Sequence, residues 1–210
     1  MTILYILLGI ILLVIVVNAV WRLISDHRSI PCPAWLGWMV ELDNPIFRND
    51  SAKVIVSHLA LQPGWRVLDY GCGPGRLSLP LARALAPQGR VTSLDLQAEM
   101  LEKVRAKAQA EKLKNIEYVR AEAGQASLPA GAYDAAIMVT VLGELPDAPL
   151  ALKEIHACLK PGGLLSITEV IADPHFQKQA KVRALAGAAS FTESACFGQP
   201  WSYTLNFVKK

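Results

Sequence analysis

The stretch VLDYGCGPGRLSLPLARAL, residues 67–85, decides the fold class of this chain. It opens with a buried-strand pattern, passes through a turn that holds three glycines, and continues in a helical pattern. Glycine at such a turn permits positive φ and lets the backbone approach a ligand closely. A strand, a glycine-rich turn and a helix in this order are typical of sites for nucleotide-like cofactors.

The rest of the chain alternates strand and helix patterns, which favours an α/β fold with a parallel sheet and helices on both faces. Beyond residue 175 the pattern changes to a helix followed by two strands, which predicts an antiparallel pair around Gly198-Gln199-Pro200. The strands are predicted near 65–70, 90–95, 115–120, 133–139 and 163–170, and the helices near 51–60, 75–86, 97–113 and 147–159.

Composition limits the classes of function. The 210 residues suffice for one domain and an appendage, and the net charge of +3, without a Lys/Arg-rich run, argues against nucleic acid as a partner. The four cysteines are widely separated, and because they form no CxxC or Cys/His ligand spacing, no metal site is predicted. Free thiols in a reducing compartment fit this pattern best.

The chain begins with an apolar run over residues 3–17 that continues, past Asn18, to Trp21. This is about the length that a helix needs to cross a bilayer, so residues 1–24 are predicted to form a transmembrane helix. Two alternatives stay open: a signal peptide cleaved after Val17-Asn18-Ala19, although no basic region precedes the run, and a buried soluble helix. Basic residues follow the span and none precedes it, which places the rest of the chain in the cytoplasm.

Residues 25–50 are predicted to be a linker and a helical segment. The prolines in Ser29-Ile30-Pro31-Cys32-Pro33 end any preceding helix. The tryptophans that follow, Trp35 and Trp38, suit either a helix packed on the domain or a segment that lies on the membrane surface. The catalytic domain is predicted to span residues 51–210.

The glycine turn must be assigned to one of two cofactors. A dinucleotide site uses G-x-G-x-x-G, and here Arg76 stands in place of the third glycine. Asp69 at the end of the first strand would repel a pyrophosphate but suits a cofactor with a positive amino group. Asp95 ends the second strand, where a carboxylate accepts hydrogen bonds from the ribose hydroxyls of either cofactor, so this residue does not discriminate between them. The acid at position 69 therefore favours S-adenosylmethionine over NAD.

Four motifs in order resemble the class I S-adenosylmethionine-dependent methyltransferases over roughly residues 50–210. They are VLDYGCGPG, VTSLDLQAEML, AAIMVTVLGEL and LKPGGLLSITEV. The group that the chain most resembles includes quinone-biosynthesis, arsenite and phospholipid methyltransferases. The resemblance implies a Rossmann-like fold with a seven-stranded, mostly parallel sheet whose last strand is antiparallel, and S-adenosyl-L-methionine as cofactor.

The resemblance also implies roles for particular positions. Asp69 and Gly71 correspond to residues that meet the methionine end of the cofactor, Asp95 to the ribose ligand and Leu96 to a residue against the adenine. Glu122 and Ala123 stand where the family often has an acid and a small residue, although the order here is Ala-Glu-Ala. The remaining predicted cofactor-site residues are Tyr70, Cys72, Gly73 and Gly75 of the loop and Thr140 at the end of the fourth strand.

The catalytic residues are harder to assign, because methyl transfer from a sulfonium depends mainly on positioning. A base is needed only where the acceptor carries a proton. Three residues beyond the fourth and fifth strands are candidates: Glu144, Glu169 and His175. Their structural alternatives are a helix cap for Glu144 and a helix-entry residue for His175.

These patterns together predict a membrane-anchored methyltransferase, because an anchor raises the local concentration of a membrane-resident acceptor. The predicted acceptor is a quinone precursor, a phospholipid or a related lipid. C-terminal aromatic residues either line its site or fill the core. Three alternatives stay open: a thiol or metalloid methyltransferase that needs converging cysteines, another small-molecule methyltransferase, and a non-catalytic module that binds S-adenosylmethionine.

Overall fold

The computed structural model describes residues 51–210, together with 5–6, 8–9, 12–13, 16–17, 20, 32–37 and 41. The described positions between 5 and 20 are helical, and their large apolar side chains are exposed. No helix within the described residues combines the length and the hydropathy needed to span a bilayer. The other positions of the predicted transmembrane helix 1–24, and most of the segment 25–50, lie outside the described residues.

Seven strands form one sheet in the order β3-β2-β1-β4-β5-β7-β6. Strands β1 to β5 are parallel, and β7 runs antiparallel to both of its neighbours, β5 and β6. The predicted parallel sheet with an antiparallel C-terminal pair is therefore confirmed. The strands are β1 Arg66–Tyr70, β2 Arg90–Asp95, β3 Ile116–Arg120, β4 Tyr133–Val139, β5 Leu159–Val170, β6 Phe191–Gln199 and β7 Ser202–Lys209.

Strand β5 begins four residues before the predicted start at 163, at Leu159. Tyr133 pairs with Leu159 and Ala135 pairs with Leu164, so the register shifts across this stretch. Pro161, Gly162 and Gly163 lie between these two pairings and produce the irregularity at the start of the strand.

Five α-helices lie within residues 51–210, and the first four begin within about three residues of their predicted starts, while the fifth follows residue 175 as predicted. The helix predicted from 147 is capped by Asp147, whose carboxylate accepts a hydrogen bond from Leu150 N at 2.9 Å. The helices are α1 Ala52–Ser57, α2 Ser78–Leu85, α3 Ala98–Ala110, α4 Ala148–Cys158 and α5 Gln179–Ala188.

Each face of the sheet carries its own apolar core. On one face α4 and α5 cover a cluster that includes Leu152, Ile155 and Val182, and on the other α1, α2 and α3 cover a cluster that includes Leu81 and Val104. Most of the C-terminal aromatics belong to this packing. Phe191, Tyr203 and Phe207 lie in the first core, Phe176 packs against Tyr203, and Phe197 stacks on His58.

The strand order reverses between β1 and β4, so a crevice is expected where their carboxyl ends separate. Asp134 lies at the opposite end of β4, where it accepts hydrogen bonds from Arg66 N and from Lys160 Nζ. These contacts give Asp134 a structural role. The carboxyl edge is therefore the place to look for a site.

Candidate functional site

The glycine loop after β1 is tied to the end of β2. Gly71 N and Cys72 N both donate to Leu94 O, at 2.8 and 2.9 Å. Gly71 has a φ of +76°, and a Cβ there would lie 2.6 Å from Val141 Cγ2. The loop after β4 therefore packs directly on the glycine loop, and only glycine allows this approach.

Asp95 connects the glycine loop to the start of α3. Its carboxylate accepts one hydrogen bond from Gly73 N and one from Gln97 N, each at 2.9 Å. Burial raises the pKa of this carboxyl, and the backbone donors oppose that shift. Asp95 thus lies beside the glycine loop at the carboxyl edge, and its predicted contact with a ribose stays a prediction.

Asp69 is buried at the end of β1. Ser78 Oγ donates to Asp69 Oδ2 at 2.6 Å, and Ser93 Oγ donates to Ser78 Oγ at 2.7 Å, so β1, β2 and α2 are joined by one polar chain. Burial raises the pKa of Asp69 to about 7, and the charge of Asp95 acts in the same direction. Its predicted contact with the methionine end of a cofactor stays a prediction. Neither serine was singled out from the sequence.

Tyr70 uses its side chain on a neighbouring loop. Its hydroxyl donates to Glu154 Oε2 at 2.8 Å and accepts from Gly124 N at 2.7 Å. Glu154 on α4 also accepts hydrogen bonds from the backbone N–H groups of Gly124 and Ala126. The side chain of Tyr70, predicted within the cofactor site, therefore positions the loop that carries Glu122. No sequence spacing links Glu154 to this loop, which is why the sequence did not reveal it.

The other predicted cofactor residues follow the ends of neighbouring strands. Leu96 is half exposed after β2. Glu122 is exposed and Ala123 half-buried after β3. Thr140 follows β4 with a φ of +53°, and its N–H donates to Thr168 O on β5. All of them lie along the carboxyl edge of the sheet, and their contacts with a cofactor stay predictions. Gly75, the last glycine of the loop, packs against Val104 of α3.

Glu144 and His175, two of the three catalytic candidates, lie together. Glu144 ends a short 3-10 turn after β4, and its Oε1 is 3.6 Å from His175 Nδ1. Asp173, which the sequence did not reveal, places Oδ1 3.7 Å from the same nitrogen and accepts His175 N–H at 2.7 Å. Burial raises the pKa of Glu144 to about 8, and the charges of Asp173 and Asp95 add to this.

Glu169, the third catalytic candidate, is 1% exposed at the end of β5. Its Oε2 accepts a hydrogen bond from Gln177 N at 3.0 Å, and Tyr203 Oη donates to Gln177 O. Burial raises the pKa of this carboxyl well above its usual range, and the charges of Asp173 and Glu144 also raise it. Glu169 therefore lies near the group formed by Glu144, Asp173 and His175 while supporting the loop after β5.

Residues 32–37, which precede the domain, lie against the carboxyl edge of the sheet. Gln97 Nε2 donates to Cys32 O at 2.8 Å, and Lys103 Nζ donates to Ala34 O. The backbone of Cys32 also lies against the Glu144 carboxylate, whose charged form it favours. The described residues 32–37 thus pack on the domain, as one of the two sequence interpretations requires, while Trp35 is 74% exposed.

The cysteines lie in separate places. Cys158 is buried at the end of α4, where its thiol donates to Ile155 O, and Cys196 is exposed on β6. Cys72 is buried in the glycine loop, and Cys32 is half-buried above the carboxyl edge. A thiol or metalloid site needs converging cysteines, and Cys32, Cys158 and Cys196 do not converge.

Comparison with known proteins agrees with this architecture. Residues 67–163 match the model of a family described as "Methyltransferase domain". Demethylmenaquinone methyltransferase of Geobacillus stearothermophilus is 32% identical over 112 residues, which are 53% of this chain and 48% of that protein. Demethylmenaquinone methyltransferase of Listeria welshimeri is 33% identical over 120 residues, which are 57% of this chain and 49% of that protein. The chain spans about half the length of these curated relatives.

Among solved structures, an S-adenosylmethionine-dependent methyltransferase from Aquifex aeolicus superposes with a TM-score of 0.76 at 20% identity. The superposition covers 86% of this chain and all of that one. At this identity the likeness establishes the fold. The glycine loop, Asp95 and the group around His175 thus lie at the carboxyl edge of a fold shared with that protein.

Proposed function

We propose that this chain, which carries a class I, S-adenosylmethionine-dependent methyltransferase domain, methylates a lipophilic acceptor at the membrane. The observation that supports this most is the division of the carboxyl edge into two ends. The glycine loop and Asp95 form the cofactor end, and Glu144 with His175 forms an acceptor end beside it. The charge of Asp95 acts on Glu144, so the two ends are close neighbours.

The reaction at such a site is an in-line displacement. An electron pair of the acceptor forms the new bond to the methyl carbon while the carbon–sulfur bond breaks and its electrons stay on sulfur. The glycine loop and Asp95 would hold the cofactor, which supplies the methyl group, and would so orient it toward the acceptor. An acceptor that carries a hydroxyl proton must lose it, and Glu144 and His175 lie at the end where that proton departs.

Three observations support a lipophilic acceptor. The curated relatives are named for demethylmenaquinone, so a quinone precursor is the foremost class, followed by a phospholipid or a related lipid. Within residues 51–210, the exposed large apolar side chains follow strand ends or begin α4 at the carboxyl edge. They are Leu96, Leu150, Ile171 and Trp201. The apolar run over residues 3–17 would keep this edge near a membrane.

The proposal includes the anchor and its orientation. In this proposal residues 1–24 form a single transmembrane helix, and the domain lies on the cytoplasmic side, because Arg22 and Arg28 follow the apolar run. Vesicle flotation tests this part. The full chain should float with liposomes, and a chain without residues 1–24 should remain largely in the dense fraction. Equal flotation of both would contradict an anchor in this segment.

The activity itself is tested by transfer of label from methyl-labelled S-adenosylmethionine into a total membrane lipid extract. Label should enter the organic phase with the intact protein and not with Asp95→Ala, because that variant loses the proposed ribose ligand. Chromatography of the labelled lipid then identifies the acceptor. Calorimetric binding of the cofactor without any label in the organic phase would contradict a lipid acceptor and favour a water-soluble acceptor, a protein acceptor or a binding module.

A further inference from the structure

The loops after β4 and β5 bring one imidazole and two carboxylates to a single point. Glu144, Asp173 and His175 each offer one donor atom, and these three atoms lie within 4.8 Å of one another. From this arrangement we propose that the three side chains bind one divalent transition-metal ion at the acceptor end of the site. This inference rests on the proposed function, since it says how that end would handle the acceptor.

The spacing of the donors suits such an ion. A Zn²⁺ ion about 2.1 Å from two donors holds them roughly 3.0 Å apart in octahedral geometry and roughly 3.4 Å apart in tetrahedral geometry. The distances from His175 Nδ1 to Glu144 Oε1 and to Asp173 Oδ1 are 3.6 and 3.7 Å. The two carboxylate oxygens lie within 4.8 Å of each other, so side-chain rotations that bring all three donors toward a common point would complete the coordination.

The surroundings hold these donors in place. Asp173 Oδ1 accepts the backbone N–H of His175 at 2.7 Å, and the imidazole is buried, so the ring has little freedom to turn away. Gly143 lies against the same segment, because a Cβ on it would be 2.0 Å from His175 O. The two loops are therefore packed backbone against backbone, which positions Glu144 opposite the imidazole.

An independent observation comes from Glu169, which lies outside the three-residue group. Its Oε1 is buried and has no hydrogen-bond partner among the residues that the structure describes. The charges of Asp173 and Glu144 both act on this carboxyl, and it is 1% exposed. A buried polar atom without a partner is costly, and a cation, or a water molecule bound to one, would satisfy it.

The donor set indicates the class of ion. Imidazole nitrogen together with carboxylate oxygen suits Zn²⁺ or Mn²⁺, whereas Ca²⁺ and Mg²⁺ prefer sites built from oxygen alone. Three protein donors also leave coordination positions open, as catalytic sites do. An acceptor hydroxyl bound there would lose its proton to solvent water at neutral pH and become the anion whose electron pair attacks the methyl carbon.

Ion binding is tested on the full-length, untagged chain in detergent, stripped with EDTA and desalted. Titration with ZnCl₂ in a calorimeter should give about one ion per chain. Asp173→Asn and His175→Gln should each weaken Zn²⁺ binding by at least about 100-fold. Loss of a residue that only supports a metal ligand, without contacting the ion, costs at most about that much. Asp173→Asn is the better-behaved variant, because its amide oxygen still accepts the His175 N–H.

Glu99→Gln serves as the matched control, since Glu99 is an exposed carboxylate at the start of α3, at the same edge of the sheet. It should bind Zn²⁺ as the parent chain does, and thermal unfolding of all variants verifies that they fold. Absence of Zn²⁺ binding in the parent, or equal binding by the parent and Asp173→Asn, would overturn the inference.

The label-transfer assay separates this inference from the proposed function. If EDTA abolishes transfer of label into lipid and ZnCl₂ restores it, both stand. If the stripped protein transfers label at the parent rate and binds no ion, the metal site fails and the methyltransferase proposal stands. If Zn²⁺ binds as expected but no label is transferred to any lipid, the site stands and the proposed acceptor class fails.

Discussion

Gly143→Ala should separate the loops after β4 and β5 and disable the acceptor end of the site. A Cβ at this position would lie 2.0 Å from His175 O and 2.5 Å from Gln177 Nε2. Because real Cβ atoms keep at least 3.0 Å from their neighbours, the backbone of one loop must move by roughly 1 Å. Overpacking of this kind costs about 1–3 kcal/mol of the free energy of unfolding.

The expected effect on activity is larger than the effect on stability. A displacement of about 1 Å in a group that positions reactants costs about 100-fold in rate. Transfer of label from methyl-labelled S-adenosylmethionine into lipid should therefore fall about 100-fold. The cofactor affinity measured by calorimetry should change by less than about threefold, because the glycine loop and Asp95 make no contact through Gly143.

Gly187→Ala is the matched control for this experiment. Gly187 lies within α5, and a Cβ there would meet no atom within 4 Å. The substitution should raise the free energy of unfolding by no more than about 1 kcal/mol, since alanine favours a helix over glycine and Gly187 lies in the last turn, and it should leave label transfer unchanged. A Gly143→Ala protein with the parent rate of label transfer would refute the reasoning that packing of these two loops sets the acceptor geometry.

Three further predictions concern the cofactor end. Gly71→Ala should weaken S-adenosylmethionine binding at least about tenfold in calorimetry, because the new Cβ would lie 2.6 Å from Val141 in a backbone with a φ of +76°; an unchanged dissociation constant would contradict the role of this close approach. Tyr70→Phe should lower the free energy of unfolding by about 0.5–1.5 kcal/mol, since Gly124 N loses an acceptor, and weaken cofactor binding only a few-fold; parent-like stability in chemical denaturation would refute it. Folding raises the pKa of Asp69 to about 7, so between about pH 4 and 7 the folded protein holds a proton on this carboxyl that the unfolded chain has lost. The contribution of Asp69 to stability is therefore full below about pH 4 and is lost as the pH rises toward 7. Asp69→Asn, which stays neutral, should therefore gain stability relative to the parent across that window in urea titrations, and a constant difference between the two proteins would contradict the shift.

The sequence predicted the fold from local patterns that retain their meaning in three dimensions. The apolar run that ends at Tyr70 and the glycine turn behind it together define a parallel strand and the loop that follows it. The antiparallel pair was predictable because the turn signal Gly198-Gln199-Pro200 separates two strand patterns. The turn itself lies one or two residues later, at Pro200 and Trp201, since Gly198 and Gln199 still pair with β7. The early start of β5 was not, since it depends on the pairing of Leu159 with Tyr133 across the sheet.

The site was predictable only in part. Asp95 and the glycine loop follow strand ends, and strand ends of a parallel sheet meet at one edge, so their proximity follows from the pattern. Asp173, Glu154 and Ser78 gave no such signal, because each acquires its role from a residue that is distant in the chain: Glu144, Tyr70 and Asp69, respectively. For the same reason, the spacing of cysteines and histidines predicted no metal ligands, while the fold places Asp173 beside Glu144.

Packing of loop on loop joins the two ends of the site. The loop after β4 contacts the glycine loop through Val141 against Gly71 and contacts the loop after β5 through Gly143 against His175. Both contacts depend on the absence of a side chain at the glycine, and close packing of the Val141 side chain on Gly71 and of His175 O on Gly143 leaves little room for adjustment. The 3-10 turn Leu142–Glu144 lies between them, so its position fixes the distance from the cofactor to Glu144. Substitution at either glycine should therefore change the distance between the cofactor end and the acceptor end. The loss of label transfer in the double variant Gly71→Ala/Gly143→Ala, expressed as a free energy, should differ clearly from the sum of the losses in the two single variants. A double-variant loss equal to that sum would mean that the two contacts act independently.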